Sequence, residues 1–337
     1  MTPPIQSDFQ HGHFAHCESG VLVNLYAFHG LSLSESLVFG LGSGLFFCHV
    51  PLVKIQGMPM TSFRSYPTGI IKKSAKRLGI GMKLARFRDK DQAMAALDAL
   101  LARGQPVGLQ VGIYWLPYIP PALRFHFNGH NLVVYGKTDD HYLVSDPVVD
   151  RPVTCSAEDL ARARFAEGPL APKGKMYYPV AVPSEPDLAP AVRKALTDTR
   201  HRMTHIPLRM FGVRGISYMA EQIVTWPGRF GERRARQMLA WIIRMQEEIG
   251  TGGAGFRFMF AAFLQEAAEL MKKEALQEIS MAVTEAGDRW REFALAAARI
   301  CKRKTDAARG YPEARDILMD CAAREQDVFK SLKKAGF

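Results

Sequence analysis

The sequence predicts an α+β domain followed by an all-α helical bundle, with the change of character near residue 186. Two observations carry this. Up to about residue 182, short apolar runs (PVGLQVGIYW, HNLVVYGKTDDHYLVSDP, KMYYPVAV) are bounded by Gly, Pro and Asp, which is the signature of strands. Beyond residue 190, apolar residues recur three and four apart in GERRARQMLAWIIRMQEEIG and GFRFMFAAFLQEAAELMKKEALQEISMAV, which is the period of amphipathic helices. The joint, VPSEPDLAP, has three prolines in nine residues and reads as a linker over 183–190. The expected domains are therefore 1–185 and 186–337.

In the first domain, helices are expected over 17–28, 34–39, 68–78 and 89–103. The last opens on acidic residues and stops at Gly104. The second domain is expected to hold five or six helices, with turns at Gly228, 250–255, Gly287 and 310–312. At 47% apolar residues, with Gly and Pro near average usage, the chain reads as globular. No stretch is long and apolar enough for a membrane span, and MTPPIQSDFQ lacks the character of a signal peptide, so a cytoplasmic protein is expected. The five cysteines are scattered and form no CxxC pair, which argues for free thiols.

The net charge of +11 is uneven: residues 191–236 hold ten Lys or Arg against three acids. Such a segment suits nucleic acid, an anionic membrane surface, an acidic protein or simply a solvated helical face. No helix-turn-helix, zinc finger or RNA-binding aromatic motif accompanies it, so nucleic acid is not expected. Peripheral membrane contact and a homodimer through the helical stripes stay open.

The strongest chemical signal is HGHFAHCESGVLVNLYAFHG, where Cys17 stands directly before a helical pattern of Val21, Leu22, Leu25 and Phe28. Unsatisfied N–H groups and the positive end of the helix dipole favour a thiolate there and can hold a developing oxyanion. In HFNGHNLVVYGKTDDHYLVSDP, His130 opens one run and Asp146 closes the next, with GKTDD as a hairpin turn. Antiparallel strands bring the two near each other. His130 would serve Cys17 with one ring nitrogen while Asp146 fixes the other, and the order Cys, His, Asp is that of papain-like cysteine enzymes.

The segments HCESG, LSLSESLVFGLGSGLFF, GHNLVVYG and VSDP resemble the N-terminal domain of the butirosin biosynthesis protein H family. GTGGAGFRFMFAAFLQEAAEL resembles the helical C-terminal domain that commonly follows it. The resemblance implies a papain-like cysteine-protease-type fold used by an acyltransferase, which moves an aminoacyl group from the phosphopantetheine arm of an acyl carrier protein to an amine. It implies that Cys17 takes the acyl group as a thioester, that His130 is the general base and that Asp146 orients it. No bound cofactor is implied; the phosphopantetheine thioester is the donor substrate. Papain-like peptidases usually carry an oxyanion Gln ahead of the Cys. Here His11 holds that place and Gln10 lies one residue further off, leaving Gln10, His16 and Asn128 as second-donor candidates beside the N–H of Cys17.

Other features admit two uses each. Gly42 and Gly44 in LGSGLFF suit an acyl or pantetheine channel, or a loop packed beside the Cys helix. Tyr114, Trp115 and Tyr118 suit a substrate rim, or an ordinary aromatic loop. The glycines before Arg257 suit a phosphate, or a helix–helix turn. His201 and His205 read as surface histidines, and no metal site is expected. The composite expectation is acyl transfer from a carrier-protein or coenzyme A thioester to an amine or hydroxyl, in specialised-metabolite or lipid assembly. A cysteine peptidase, amidase or thioester hydrolase is the second reading, and a non-catalytic binding module with a basic face the third.

Overall fold

The structure, a computed structural model, describes residues 5, 6 and 8–337. In chain order the first elements are β1 (Ile5–Gln6), α1 (Cys17–Phe28), α2 (Glu35–Leu41), β2 (Leu45–Ile55), β3 (Met58–Arg64), α3 (Gly69–Arg77), β4 (Gly81–Ala85) and α4 (Lys90–Leu101). Then follow β5 (Val107–Val111), β6 (His130–Thr138), β7 (His141–Ser145), β8 (Val153–Ser156), α5 (Ala157–Arg164) and β9 (Met176–Ala181). The remainder is helical: α6 (Leu188–Thr204), α7 (Gly212–Ile223), α8 (Trp226–Phe230), α9 (Glu232–Ile243), α10 (Arg257–Met271), α11 (Ala275–Cys301) and α12 (Ala307–Lys334). No described helix is long and apolar enough to cross a membrane.

The chain divides into two compact units, one running through Val38 and resuming over Ile70–Pro186, the other comprising Phe39–Gly69 and Asp187–Phe337. A break close to residue 186 is common to this division and to the sequence reading. The hairpin segment 39–69 is the addition: it is grouped with the later helices, across a long sequence separation.

The first unit is a seven-stranded sheet ordered β4-β9-β5-β6-β7-β8, with β1 on β6 and antiparallel pairing throughout. Alternation along β5 and β6 sends Val107, Leu109, Leu132 and Val134 into an apolar layer with Leu97 and Leu101 of α4 and Leu160 of α5. The intervening residues Gly108, Gln110, Asn131 and Val133 take the opposite face, where α1 packs. Helix α1 is buried on all sides rather than along one stripe, with Val21, Leu22, Leu25 and Tyr26 fully covered. A two-residue turn at Asp139 and Asp140 joins β6 to β7, and a bulge between Val134 and Gly136 shifts the register by one residue before the strands reach the site.

The second unit pairs β2 with β3 and packs α6 to α12 around Phe47, Phe63, Trp290 and Phe293. Several sequence expectations change here. Gly287 is no turn: it lies inside α11, where a Cβ would come within 2.7 Å of the Phe258 ring, so the glycine serves helix packing. Gly228 lies within the short α8, and residues 310–312 fall inside the early turns of α12. Pro190 sits in the first turn of α6, where the missing N–H costs nothing, so that helix starts inside the expected linker. The turn over 250–255 does occur, with Gly250, Gly252, Gly253 and Gly255 at positive φ.

The core of the second unit contains a charge. Glu325, 3% exposed, accepts from Arg257 Nε at 2.8 Å and Nη2 at 3.1 Å, and from Trp290 Nε1 at 2.7 Å. Three hydrogen bonds from two side chains thus hold this carboxylate. Removing one partner strands the other charge in an apolar setting. Glu325→Ala should lower unfolding free energy by about 3–5 kcal/mol in denaturant titration, whereas Glu158→Ala, which breaks only an exposed pair with Arg162, should cost under about 1 kcal/mol.

Candidate active site

Cys17 is the first residue of α1, and His16 caps the helix. The His16 ring accepts the Ser19 N–H through Nδ1 at 3.3 Å, and the same nitrogen lies 3.0 Å from Ser19 Oγ. The segment entering the helix is clamped by Glu35, whose carboxylate takes the N–H groups of Ala15 at 2.9 Å and His16 at 2.8 Å and the Ser19 hydroxyl at 3.0 Å. Burial pushes the Glu35 carboxyl up, against these donors. The next residue, Glu18, is fully buried and its Oε1 accepts from Ile70 N at 3.0 Å and Ile71 N at 3.3 Å, capping α3. The sulfur is therefore held by the helix, not by a mobile loop.

His130 and Asp146 meet as the hairpin pattern predicts. His130 Nε2 lies 2.7 Å from Asp146 Oδ2, with the two residues 3% and 0% exposed. That leaves Nδ1 to serve Cys17, whose thiol is near enough to the ring to help raise its pKa. Burial disfavours the imidazolium, but Asp146 and then Cys17 outweigh it and raise the His130 pKa to about 10. The other Asp146 oxygen accepts the Val148 N–H at 3.2 Å. Gly20 permits the close approach: a Cβ there would lie 2.6 Å from Pro147, the residue after the carboxylate.

Tyr118 changes role. Its hydroxyl donates to Asp146 Oδ2 at 2.9 Å, so it positions the carboxylate. Burial and then the adjacent carboxylate hold its ionisation well above the usual phenol range, so it stays a donor. The loop bearing it is compact: Arg124 bonds the carbonyls of Ile119 at 2.6 Å and Pro117 at 2.7 Å. Tyr114 and Trp115 line a groove of about 360 Å³ with Pro117, Pro121, Arg124 and Asp159.

The oxyanion candidates fare differently. Asn128 spends its amide on the carbonyls of Glu167 at 2.9 Å and Pro169 at 3.0 Å, so it is a loop staple. His16 uses Nδ1 in its cap. Gln10 is exposed on the segment leading to α1. His11 bonds Ser145 Oγ at 2.7 Å and Val149 O at 3.0 Å, clasping the loop that carries Asp146. Gly42, Gly44 and Arg257 belong to the second unit. Residues from Leu45 onward are strand β2, not a loop, and Gly44 makes room for the Phe39 ring, 2.4 Å from where a Cβ would stand. Arg257 is bound to Glu325 and is not available to a phosphate.

One layer escapes the sequence reading. Beneath the tip of α1, Gln110 and Asn131 face each other across β5 and β6. The Asn131 amide lies 3.9 Å from Cys17 Sγ, and Lys175 bonds the Gln110 side chain. Burial, then Arg86, lowers the Lys175 pKa to about 8, with Glu18 opposing. The available signal was an Asn at the head of the otherwise apolar run NLVVYG.

A buried thiol at the tip of α1, an imidazole at the start of β6 and a carboxylate just after β7 are the groups that cysteine nucleophilic catalysis requires. Residues 16–147 match the family model described as Butirosin biosynthesis protein H, N-terminal, and residues 158–332 match the one described as Domain of unknown function (DUF4872). The latter covers more than half of the chain, which belongs to that family and carries a butirosin biosynthesis protein H-type N-terminal domain. No curated protein matches the sequence. Among solved structures, a Bacillus anthracis protein described as C39-like peptidase is similar at 14% identity and a TM-score of 0.37, over 53% of this chain and 99% of that one.

The raised His130 pKa carries a sign. The imidazolium–carboxylate pair contributes stability that is fully present below the unfolded value of about 6.5 and is lost as pH rises through about 10. In the wild type, the NMR titration of the His130 ring should have its midpoint near 10. In Asp146→Asn, with burial the largest remaining influence, the midpoint should drop by more than about 2 units, and cysteine-dependent turnover by roughly 10³-fold. Tyr118→Phe should cost about tenfold in turnover, because the carboxylate keeps His130 but loses one anchor.

Proposed function

We propose that the chain is an acyltransferase that carries an acyl group on Cys17 between a thioester donor and an amine or hydroxyl acceptor. The observation that carries this reading is the buried His130–Asp146 pair beside a thiol at the head of α1, in a domain of the butirosin biosynthesis protein H type. Sγ attacks the thioester carbonyl after His130 Nδ1 has taken its proton. The donor thiol leaves with a proton from His130, and the acyl group stays on sulfur. The acceptor then attacks that carbonyl while His130 removes its proton, and Cys17 departs as thiolate. In this proposal the N–H of Cys17, at the helix start, is the donor to the oxygen that bears the developing charge.

A thioester donor suits this nucleophile, since exchange between thiols is nearly balanced in energy. The donor in this proposal is a phosphopantetheine arm on an acyl carrier protein. Carrier proteins are typically acidic, and Lys194, Arg214 and Arg233 of the basic segment are exposed to attract one. No resident cofactor has a part in the reaction. The aromatic groove at Tyr114 and Trp115 supplies a rim for the acceptor.

Hydrolysis is the second reading, because the same acyl-enzyme can be discharged by water. Product analysis separates the two. With acyl-loaded carrier protein and a panel of amines, the proposal predicts amide in excess of free acid, rising with amine concentration. Free acid alone, insensitive to amine, would make the chain a hydrolase. Cys17→Ala should abolish either product; full turnover by that variant would remove the nucleophile assignment.

A further inference from the structure

Asn131 sits where a second donor to the sulfur would be needed. It is 2% exposed on β6, on the face covered by α1, and its Nδ2 lies 3.9 Å from Cys17 Sγ. The orientation of its amide is fixed by its neighbours. Nδ2 also lies 3.1 Å from the Gly129 carbonyl, which can only accept, and Oδ1 lies 3.0 Å from the Tyr177 hydroxyl, which donates to it. The NH2 group therefore faces the carbonyl and the sulfur together; a flip would set two acceptors against each other. Tyr177 reaches this point across Gly108, its partner on β5: a Cβ on Gly108 would lie 2.4 Å from the Tyr177 ring.

We infer that Asn131 is a positioning residue that donates a hydrogen bond to the Cys17 thiolate, holding the sulfur between its amide and the His130 ring. Nearby polar side chains have other partners: His11 bonds the Asp146 loop, Asn128 the 167–169 turn and His16 Nδ1 its own helix. Hydrogen bonds to an ionised group are roughly twice as strong as neutral ones, so the contact favours thiolate over thiol. The inference rests on the thiolate reading of Cys17 and not on the identity of donor or acceptor.

The test is the pH dependence of alkylation at Cys17, followed by intact mass with iodoacetamide on the full chain, with Cys17→Ala supplying the background from the other thiols. No acyl donor is involved. Wild type should react at pH 6 well above the rate of an ordinary thiol. Asn131→Leu, alike in branching but without the donor, should shift the pH midpoint upward by about one unit, which is about tenfold slower reaction below the midpoint. Asn131→Asp, which sets a negative charge at the same place, should shift it further. If Asn131→Leu does not fold, Tyr177→Phe serves instead: it frees the amide to turn and should move the midpoint the same way by a smaller amount. An unshifted profile in a folded Asn131→Leu, or in Tyr177→Phe where the former does not fold, overturns the inference. A wild type no faster than an ordinary thiol would instead defeat the thiolate reading beneath it, a result distinguishable from the first.

Discussion

The arrangement of the first unit depends on one constraint: a sulfur at the N-terminus of a helix must meet an imidazole at the end of a strand, inside protein. The helix contributes fixed N–H groups and the sheet contributes a fixed hairpin, so neither partner has freedom to drift. The cost is the burial of ionisable groups. It is offset because each has a specific partner: Asp146 for His130, Tyr118 and Val148 for Asp146, and the backbone of α3 for Glu18. A buried charge without such partners would neutralise itself.

Two kinds of residue build that geometry. Some bear the chemistry; others only permit approach. Gly20 lets α1 close on Pro147, and Gly108 lets Tyr177 lie across β5. The clamp by Glu35 belongs to a third kind, tying the segment before the helix so that the thiol enters the first turn at a set position. Substitutions at such places disturb chemistry without touching substrate, through small displacements of groups that must align within hydrogen-bond tolerance.

Much of this was legible in the sequence, because the relevant signals are local. Cys17 before an apolar helix, and His130 and Asp146 flanking a hairpin turn, each follow from a few adjacent residues, and the helical second half follows from its periodicity. What was not legible depends on distant partners. Nothing near Arg257 announces Glu325, and nothing near Asn128 announces the carbonyls at 167 and 169. Gly287 looks like a turn until Phe258 is placed against it. Likewise β2 and β3 join a unit whose other residues begin at Asp187, a grouping that no local pattern encodes. Asn131 belongs with these: a polar residue in an apolar strand is only a hint until its neighbours across the sheet are known.

The central claim is that the acyl group resides on one particular sulfur during turnover. Acid-quenching the full-length protein while it processes a labelled acyl thioester, then mapping the labelled peptide by mass spectrometry, tests this most directly. The account predicts a single acylated peptide, the one containing Cys17, formed as fast as turnover and emptied when acceptor is added. Label on another cysteine such as Cys301, or turnover with no labelled peptide at any time, would contradict it.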